Sequence, residues 1–288
     1  MARVAVVGVG AIGGALASLL ETAGGHEITL CTRRPLQALV VTTPEGVVRV
    51  RARNLTNPAQ AEAVDWVLVA TKTYDAAGTA TWFPALCAGG APVAVLQNGV
   101  EHRERFSPWV NADRLLPVVI DCPTERTGDA TVNVRGATLM KVEDCALAND
   151  FAMLFQGSLA KVELVEDFTT AAWWKLCINS AGALNALALK PAGIFRDEAI
   201  GPVVEEMVAE CVAVGRAEGA NLDDSMPEFV LNMYRKQPAD SVNSLLADRL
   251  AGRQMESDAR NGAIVRAGLK HGIPTPLNSM ALALLQAV

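Results

Sequence analysis

Arg3-Val4-Ala5-Val6-Val7-Gly8-Val9-Gly10-Ala11-Ile12-Gly13-Gly14-Ala15-Leu16-Ala17-Ser18-Leu19-Leu20 is the stretch that decides the fold. Val4 to Val7 is short, apolar and mostly β-branched, which reads as a buried strand. Ile12 to Thr22 reads as a helix, so the three glycines at Gly8, Gly10 and Gly13 fall in a strand–turn–helix. In that setting Gly8 allows the tight turn, Gly10 lets the backbone approach a pyrophosphate, and Gly13 allows close helix–strand packing. The helix start then offers unpaired N–H groups and a positive dipole end to phosphate oxygens. Gly8, Val9, Gly10, Ala11, Ile12 and Gly13 are therefore the expected dinucleotide-binding loop.

The same stretch resembles a secretory leader, because no charge follows Arg3 until Glu21. Four glycines make a poor apolar leader core, and no other run reaches the length of a membrane-spanning helix. A cytoplasmic protein with no membrane partner is expected.

Outward from this turn, short apolar runs recur: Ile28–Cys31, Trp66–Ala70, Val93–Leu96 and Leu116–Ile120. Near-continuous apolar strands separated by helices or loops indicate a parallel sheet covered on both faces. From Thr131 to Val165 the pattern is β-like and reads as antiparallel additions to that sheet. After Asp167 the character changes. Phe168 to Leu189 contains no proline and one glycine, and reads as one mostly buried helix ended by Lys190-Pro191. Further helices are expected near 199–217, 226–235, 244–270 and 277–287. The fold class is thus α/β: an N-terminal Rossmann-type dinucleotide-binding domain over 1–166, then an all-helical C-terminal domain over 167–288.

Composition narrows the function. The 288 residues carry 25 Lys plus Arg against 31 Asp plus Glu, a net charge of −6 that lacks the basic footprint of a nucleic-acid binder. Aromatic residues are only 5% of the chain, too few for base-stacking platforms. The six cysteines form no C-x-x-C pair, and the three histidines have no metal-ligand spacing, so no metal is expected. The second strand ends Cys31-Thr32-Arg33-Arg34, where a free ribose hydroxyl would call for an acid. Guanidinium groups suit a 2′-phosphate, so NADP is favoured over NAD.

No Tyr is followed by Lys at the fourth position, so lysine becomes the leading proton donor. Lys175 sits in Trp173-Trp174-Lys175-Leu176-Cys177-Ile178-Asn179, with Asn179 one turn on along the same helical face. A partly desolvated ammonium would have a lowered pKa and could deliver a proton near neutrality. A snorkelling lysine at a domain edge is the alternative reading.

With these residues in view, the whole chain resembles the ketopantoate reductase (2-dehydropantoate 2-reductase) family. The resemblance rests on Gly8 to Gly13, Arg33, Lys72 in Ala70-Thr71-Lys72-Thr73, and Gln97-Asn98-Gly99. It continues through Trp173 to Asn179, Ser244, Glu256, Asn261-Gly262 and His271 to Pro276. It implies NADPH-dependent reduction of a 2-keto acid, 2-dehydropantoate to pantoate, as a step of pantothenate biosynthesis. It further implies Lys175 and Glu256 as catalytic residues, with Asn98, Lys175, Asn179 and Ser244 on the substrate. Arg33, Lys72, Asn98 and Glu256 would meet the cofactor. The chain departs from the family at Ala183, where a second Asn is common, and at Glu101, where a small residue is frequent. A different 2-oxo acid and a non-catalytic NADPH-binding sensor are the alternatives carried, and a homodimer is left open.

Overall fold

Val4 and Val6 face one apolar cluster with Leu16, Leu20 and Phe151, whereas Ala5 and Val7 face another with Val67, Phe83 and Leu86. Side chains alternate across a strand, so a strand buried on both faces must be apolar throughout. The computed structural model describes residues 1–288. It divides the chain into one unit of Met1–Gln97 with His102–Glu166, and a second of Asn98–Glu101 with Asp167–Val288.

The first unit holds strands β1 (Arg3–Val7), β2 (Glu27–Cys31), β3 (Leu39–Thr43), β4 (Gly46–Val50), β5 (Ala52–Leu55) and β6 (Trp66–Val69). These are followed by β7 (Val93–Val95), β8 (Leu115–Asp121), β9 (Thr124–Gly128), β10 (Thr131–Val134), β11 (Thr138–Glu143) and β12 (Ala160–Val165). Its helices are α1 (Ala11–Ala23), α2 (Ala76–Ala80), α3 (Phe83–Leu86), α4 (His102–Phe106) and α5 (Ala148–Met153). The large sheet runs β12-β11-β8-β7-β6-β1-β2-β5. Strands β5-β2-β1-β6-β7-β8 are parallel, the doubly wound order whose switch point lies between β1 and β6.

The region after Leu36 differs from the sequence reading. Three strands occupy Leu39–Leu55, and β3 and β4 form an antiparallel hairpin in a second sheet of order β4-β3-β10-β9. Its signal was an apolar-rich run broken by Pro44-Glu45-Gly46. Of the three β-like runs after Thr131, only β11 pairs antiparallel with the large sheet, on β8. Strand β10 belongs to the small sheet, and β12 lies parallel to β11. The small sheet explains the composition of α1, which packs on β1 and β2 as well as on β3, β4, β9 and β10. Residues Gly13 to Leu20 are buried without interruption, as a helix covered on two sides requires.

The second unit contains α6 (Phe168–Ala181), α7 (Ala183–Ala188), α8 (Ile200–Ala217), α9 (Met226–Lys236), α10 (Ser244–Leu250), α11 (Ala263–His271) and α12 (Pro276–Gln286), without a strand. Two expected helices are broken. The run Phe168–Leu189 divides at Gly182, whose carbonyl accepts from Asn243 Nδ2 at 2.9 Å. A Cβ on Gly182 would lie 2.9 Å from that nitrogen and 3.0 Å from Tyr234 Oη, so a larger residue would push both side chains away. The run 244–270 stops at Leu250, before Gly252 with φ +60°, and resumes as a π-helical turn over Asp258–Gly262 that leads into α11. Glu256 therefore lies in a non-helical segment rather than on a helix.

The core of this unit joins Trp173 and Leu176 of α6, Val204, Met207 and Val208 of α8, and Val230, Leu231 and Tyr234 of α9. Glu210, on α8, accepts from the backbone N–H of Leu277 and Asn278 at 2.8 and 2.9 Å and so caps the start of α12 from a distance. No helix of the chain is long and apolar enough to cross a membrane.

Asp167 caps α6 by accepting from Thr170 Oγ1 and Thr170 N at 2.6 and 2.8 Å. These bonds, the hydroxyl one foremost, hold its carboxyl below the ordinary value of 3.8. A lowered carboxyl contributes stability above its unfolded pKa, and that stability is lost as pH falls through the folded pKa. Asp167→Ala is expected to cost roughly 1 kcal/mol near neutrality. Asp167→Asn should keep most of the cap while removing this group's contribution to acid sensitivity below about pH 4. Denaturant titrations near neutrality and near pH 3 measure both.

Candidate active site

The glycine turn sits at the carboxyl end of β1, beside the switch point. Gly8 has φ +92°, donates its N–H to Cys31 O at 3.0 Å, and leaves no room for a Cβ, which would lie 2.6–2.8 Å from Thr71. A Cβ on Gly13 would come within 1.9 Å of Gly8 O, so helix and turn are packed backbone to backbone. Gly10 differs: a Cβ there would meet nothing within 4 Å. Gly10 also opens α1 with no side-chain cap and no acid in the first turn. Open space off Gly10 and free N–H groups at a helix start fit the phosphates of a dinucleotide.

Two neighbouring loops share that edge of the sheet. After β2, Asn54 of β5 fixes the turn by donating to Leu30 O and Thr32 Oγ1 and accepting from Leu36 N, at 2.8–3.0 Å. This turn presents Arg33, whose side chain is 88% exposed and makes one long ion pair, 3.7 Å, with Asp75. Such a surface pair is worth about 0–1 kcal/mol, so the guanidinium can leave it for a phosphate. After β6, Gln97 Nε2 donates to Thr71 O, Thr71 Oγ1 and Lys72 O at 3.0–3.3 Å, fixing the backbone that carries Lys72. His102 Nε2 and Gln97 O are 2.8 Å apart, and Arg105 donates to Gln97 Oε1 at 3.2 Å.

In the second unit, Asn98 is the meeting point. Its Nδ2 donates to Glu256 Oε2 at 3.1 Å, and its Oδ1 accepts from Asn179 Nδ2 at 3.4 Å. Lys175 lies one turn before Asn179 on α6. Glu256 is a carboxylate only 4% exposed, a placement that demands donors. Gly99, with φ +95°, presses the loop onto the π-helical turn, since a Cβ there would lie 2.5 Å from Ala259 O. Arg266 clamps the same loop in a two-pronged pair with Glu101, at 2.7 and 2.8 Å, and also holds Asp258 at 2.7 Å. The two carboxylates, Glu101 foremost, push the Arg266 guanidinium further above its ordinary range, so it stays charged.

Asn98, Asn179 and Glu256 are thus joined by hydrogen bonds. Ser244 is exposed at the start of α10 and pairs with Arg260 instead. Ala183 is fully buried, and Asn185 is buried too, donating to Lys190 O and accepting from Asn243, so neither offers a surface donor. Sequence reasoning missed the roles of Gln97, Arg260 and the Glu101–Arg266 clamp. Only the departure at Glu101 hinted at the last, and its partner lies 165 residues away.

A doubly wound sheet with a glycine turn at its switch point, joined to a helical unit bearing a Lys–Asn–Glu set, defines a dinucleotide-linked oxidoreductase. Residues 4–146 match the family model for Ketopantoate reductase PanE/ApbA, and residues 167–288 match that for its C terminal. The chain belongs to the ketopantoate reductase family. It is 50% identical over 287 residues to the 2-dehydropantoate 2-reductase of Caulobacter vibrioides, covering 100% of this chain and 99% of that one. Among solved structures, the PanE/ApbA family ketopantoate reductase from Ralstonia eutropha JMP134 aligns with TM-score 0.90 at 31% identity, covering 99% and 97% of the two chains. The fold is also that of D-mandelate dehydrogenase with NADH and anilino(oxo)acetate, at TM-score 0.89 and 20% identity, with 99% and 97% covered.

The two glycines of the turn should respond oppositely to a methyl group. Gly13→Ala is expected to destabilise the protein by on the order of 3 kcal/mol, because backbone would have to move. Gly10→Ala should leave thermal unfolding nearly unchanged and weaken dinucleotide binding by about tenfold or more, because its methyl enters the phosphate path. Thermal unfolding and cofactor titration of both variants separate the two effects.

Proposed function

We propose that the chain reduces 2-dehydropantoate to pantoate with NADPH, as a cytoplasmic step of pantothenate biosynthesis. The reading is carried by the hydrogen-bonded set of Asn98, Asn179 and Glu256, whose Asn179 lies one helical turn from Lys175, within a family of ketopantoate reductases. Six cysteines, all free thiols, fit a reducing compartment.

NADPH, when bound, supplies the hydride that the keto carbon accepts. The N–H groups following Gly8 and Gly10 would hold its phosphates, with Arg33 and Lys72 toward the adenosine end. Negative charge then grows on the keto oxygen. The Lys175 ammonium neutralises it and gives up a proton to that oxygen, leaving a neutral amine and a hydroxyl. Asn179 donates to the same region of substrate without adding charge. Glu256 holds the Asn98 amide in one orientation, with Asn98 assigned to both substrate and cofactor and Glu256 to the cofactor. Ser244 binds the substrate from α10. The buried Ala183, standing where relatives often carry a donor, favours a second reading in which the natural substrate is another 2-oxo acid.

Lys175→Ala is expected to lower kcat by roughly two to four orders of magnitude with NADPH affinity unchanged. Turnover near the wild-type rate in that variant would assign the proton to another group. Arg33→Ala should weaken NADPH by about tenfold and NADH hardly at all. Equal wild-type affinities for the two cofactors would refute the Arg33 role, and a panel of 2-oxo acids ranked by kcat/KM decides the substrate.

A further inference from the structure

Arg260 is a buried cation without a counter-ion. It lies in the π-helical turn, only 3% exposed, and its one side-chain hydrogen bond runs from Nη2 to Ser244 Oγ at 2.7 Å. Its Nε is sealed from solvent and has no partner. Guanidinium carries five N–H donors, and burying it without an anion is costly. The nearest acids in sequence are engaged elsewhere: Asp258 with Arg266, and Glu256 with Asn98. Tyr234, whose phenol senses the Arg260 charge, donates to Ile178 O at 2.9 Å. Burial pushes that phenol up to about 12, so it is neutral and compensates nothing.

Ser244 is the outward end of this arrangement. The cap of α10 is Asn243, whose Oδ1 accepts from Leu246 N at 2.9 Å while its Nδ2 is held by Gly182 O and Asn185 Oδ1. The Ser244 hydroxyl is therefore not spent on capping, and its backbone position is fixed. Because Oγ accepts from Arg260, its own proton must point elsewhere, and Ser244 is exposed. A hydroxyl with a positive charge behind its oxygen is a strengthened, directed donor, suited to an anionic oxygen outside.

We propose that Arg260 is the positioning residue of a carboxylate seat: it orients the Ser244 hydroxyl toward the substrate carboxylate and supplies the balancing charge from beneath. This rests on the functional reading above, which makes the substrate a 2-keto acid and puts Ser244 against it. Arg260 does not touch the reacting atoms and acts through Ser244. The seat therefore selects 2-keto acids over their neutral analogues.

The test compares 2-dehydropantoate with its primary amide, as substrate or as competitive inhibitor, in wild type, Arg260→Met, Arg260→Lys, Ser244→Ala and the double variant. Arg260→Met should raise KM for the acid roughly 10- to 100-fold, the effect of losing a hydrogen bond to a charged group, with kcat nearly unchanged. Its affinity for the amide and for NADPH should stay at the wild-type level. Arg260→Lys should recover part of the loss, and the double variant should be no worse than Ser244→Ala, since one residue acts through the other. Equal losses for acid and amide in Arg260→Met would reduce Arg260 to a packing role and overturn the proposal. Should Arg260→Met not fold, the exposed Ser244→Ala decides: an unchanged KM for the acid overturns the seat, and a selective rise supports it. A wild-type enzyme that reduces no 2-keto acid would overturn the functional reading and the seat with it. Normal turnover without acid–amide discrimination overturns the seat alone.

Discussion

Everything in the first unit follows from one close approach, that of the Gly13 backbone to the carbonyl of Gly8. A Cβ would stand 1.9 Å from that oxygen, so helix and strand meet at a distance no other residue permits. The approach brings the start of α1 against the end of β1, beside β6, where the order of the parallel strands reverses. The free N–H groups of the helix thereby face the edge at which the loops after β2, β6 and β7 also end. Gly14, the next residue, allows a looser but still close approach on the opposite side, where a Cβ would lie 2.7 Å from the Val132 side chain of the small sheet. Two adjacent glycines thus let one helix serve two sheets.

The segment following β7 divides its attachments within five residues. Gln97 is fastened to the Thr71–Lys72 backbone, whereas Gly99 and Glu101 are fastened to the π-helical turn and to Arg266. Asn98 stands between these attachments, and its amide has a donor role toward Glu256 and an acceptor role toward Asn179. Its orientation is therefore decided by partners rather than by its own rotamer preference. A buried carboxylate such as Glu256 tolerates its position only with such donors.

The helical unit handles its other buried polar groups by long-range capping. Glu210 satisfies the start of α12, and Asn243 joins α10 to Gly182 and Asn185. Each links segments dozens of residues apart, and each fixes the register of one helix against another. Arg260 stands apart from this accounting, with one side-chain bond and a charge to balance. The neighbouring Asn261 Oδ1 is also buried without a partner, but Arg260 alone adds a charge to that shortfall.

Local chemistry was enough to read the glycine turn, because strand, turn and helix are contiguous and each glycine has a local backbone reason. The same holds for the parallel strands and for the helical character after Asp167. The resemblance to a family added Asn98, Asn179, Ser244 and Glu256 before any contact between them could be seen. The small sheet escaped notice because β3 and β10 pair across some ninety residues, and no local pattern announces a partner. One long helix was broken by a tertiary contact, the approach of Asn243 and Tyr234 to Gly182, and the other by a local turn at Gly252 with positive φ; helical periodicity encodes neither. The Glu101–Arg266 clamp and the Arg260–Ser244 pair were decided by folding alone. A sequence states that a charge exists, but burial and partner geometry, which give that charge its meaning, are properties of the folded chain.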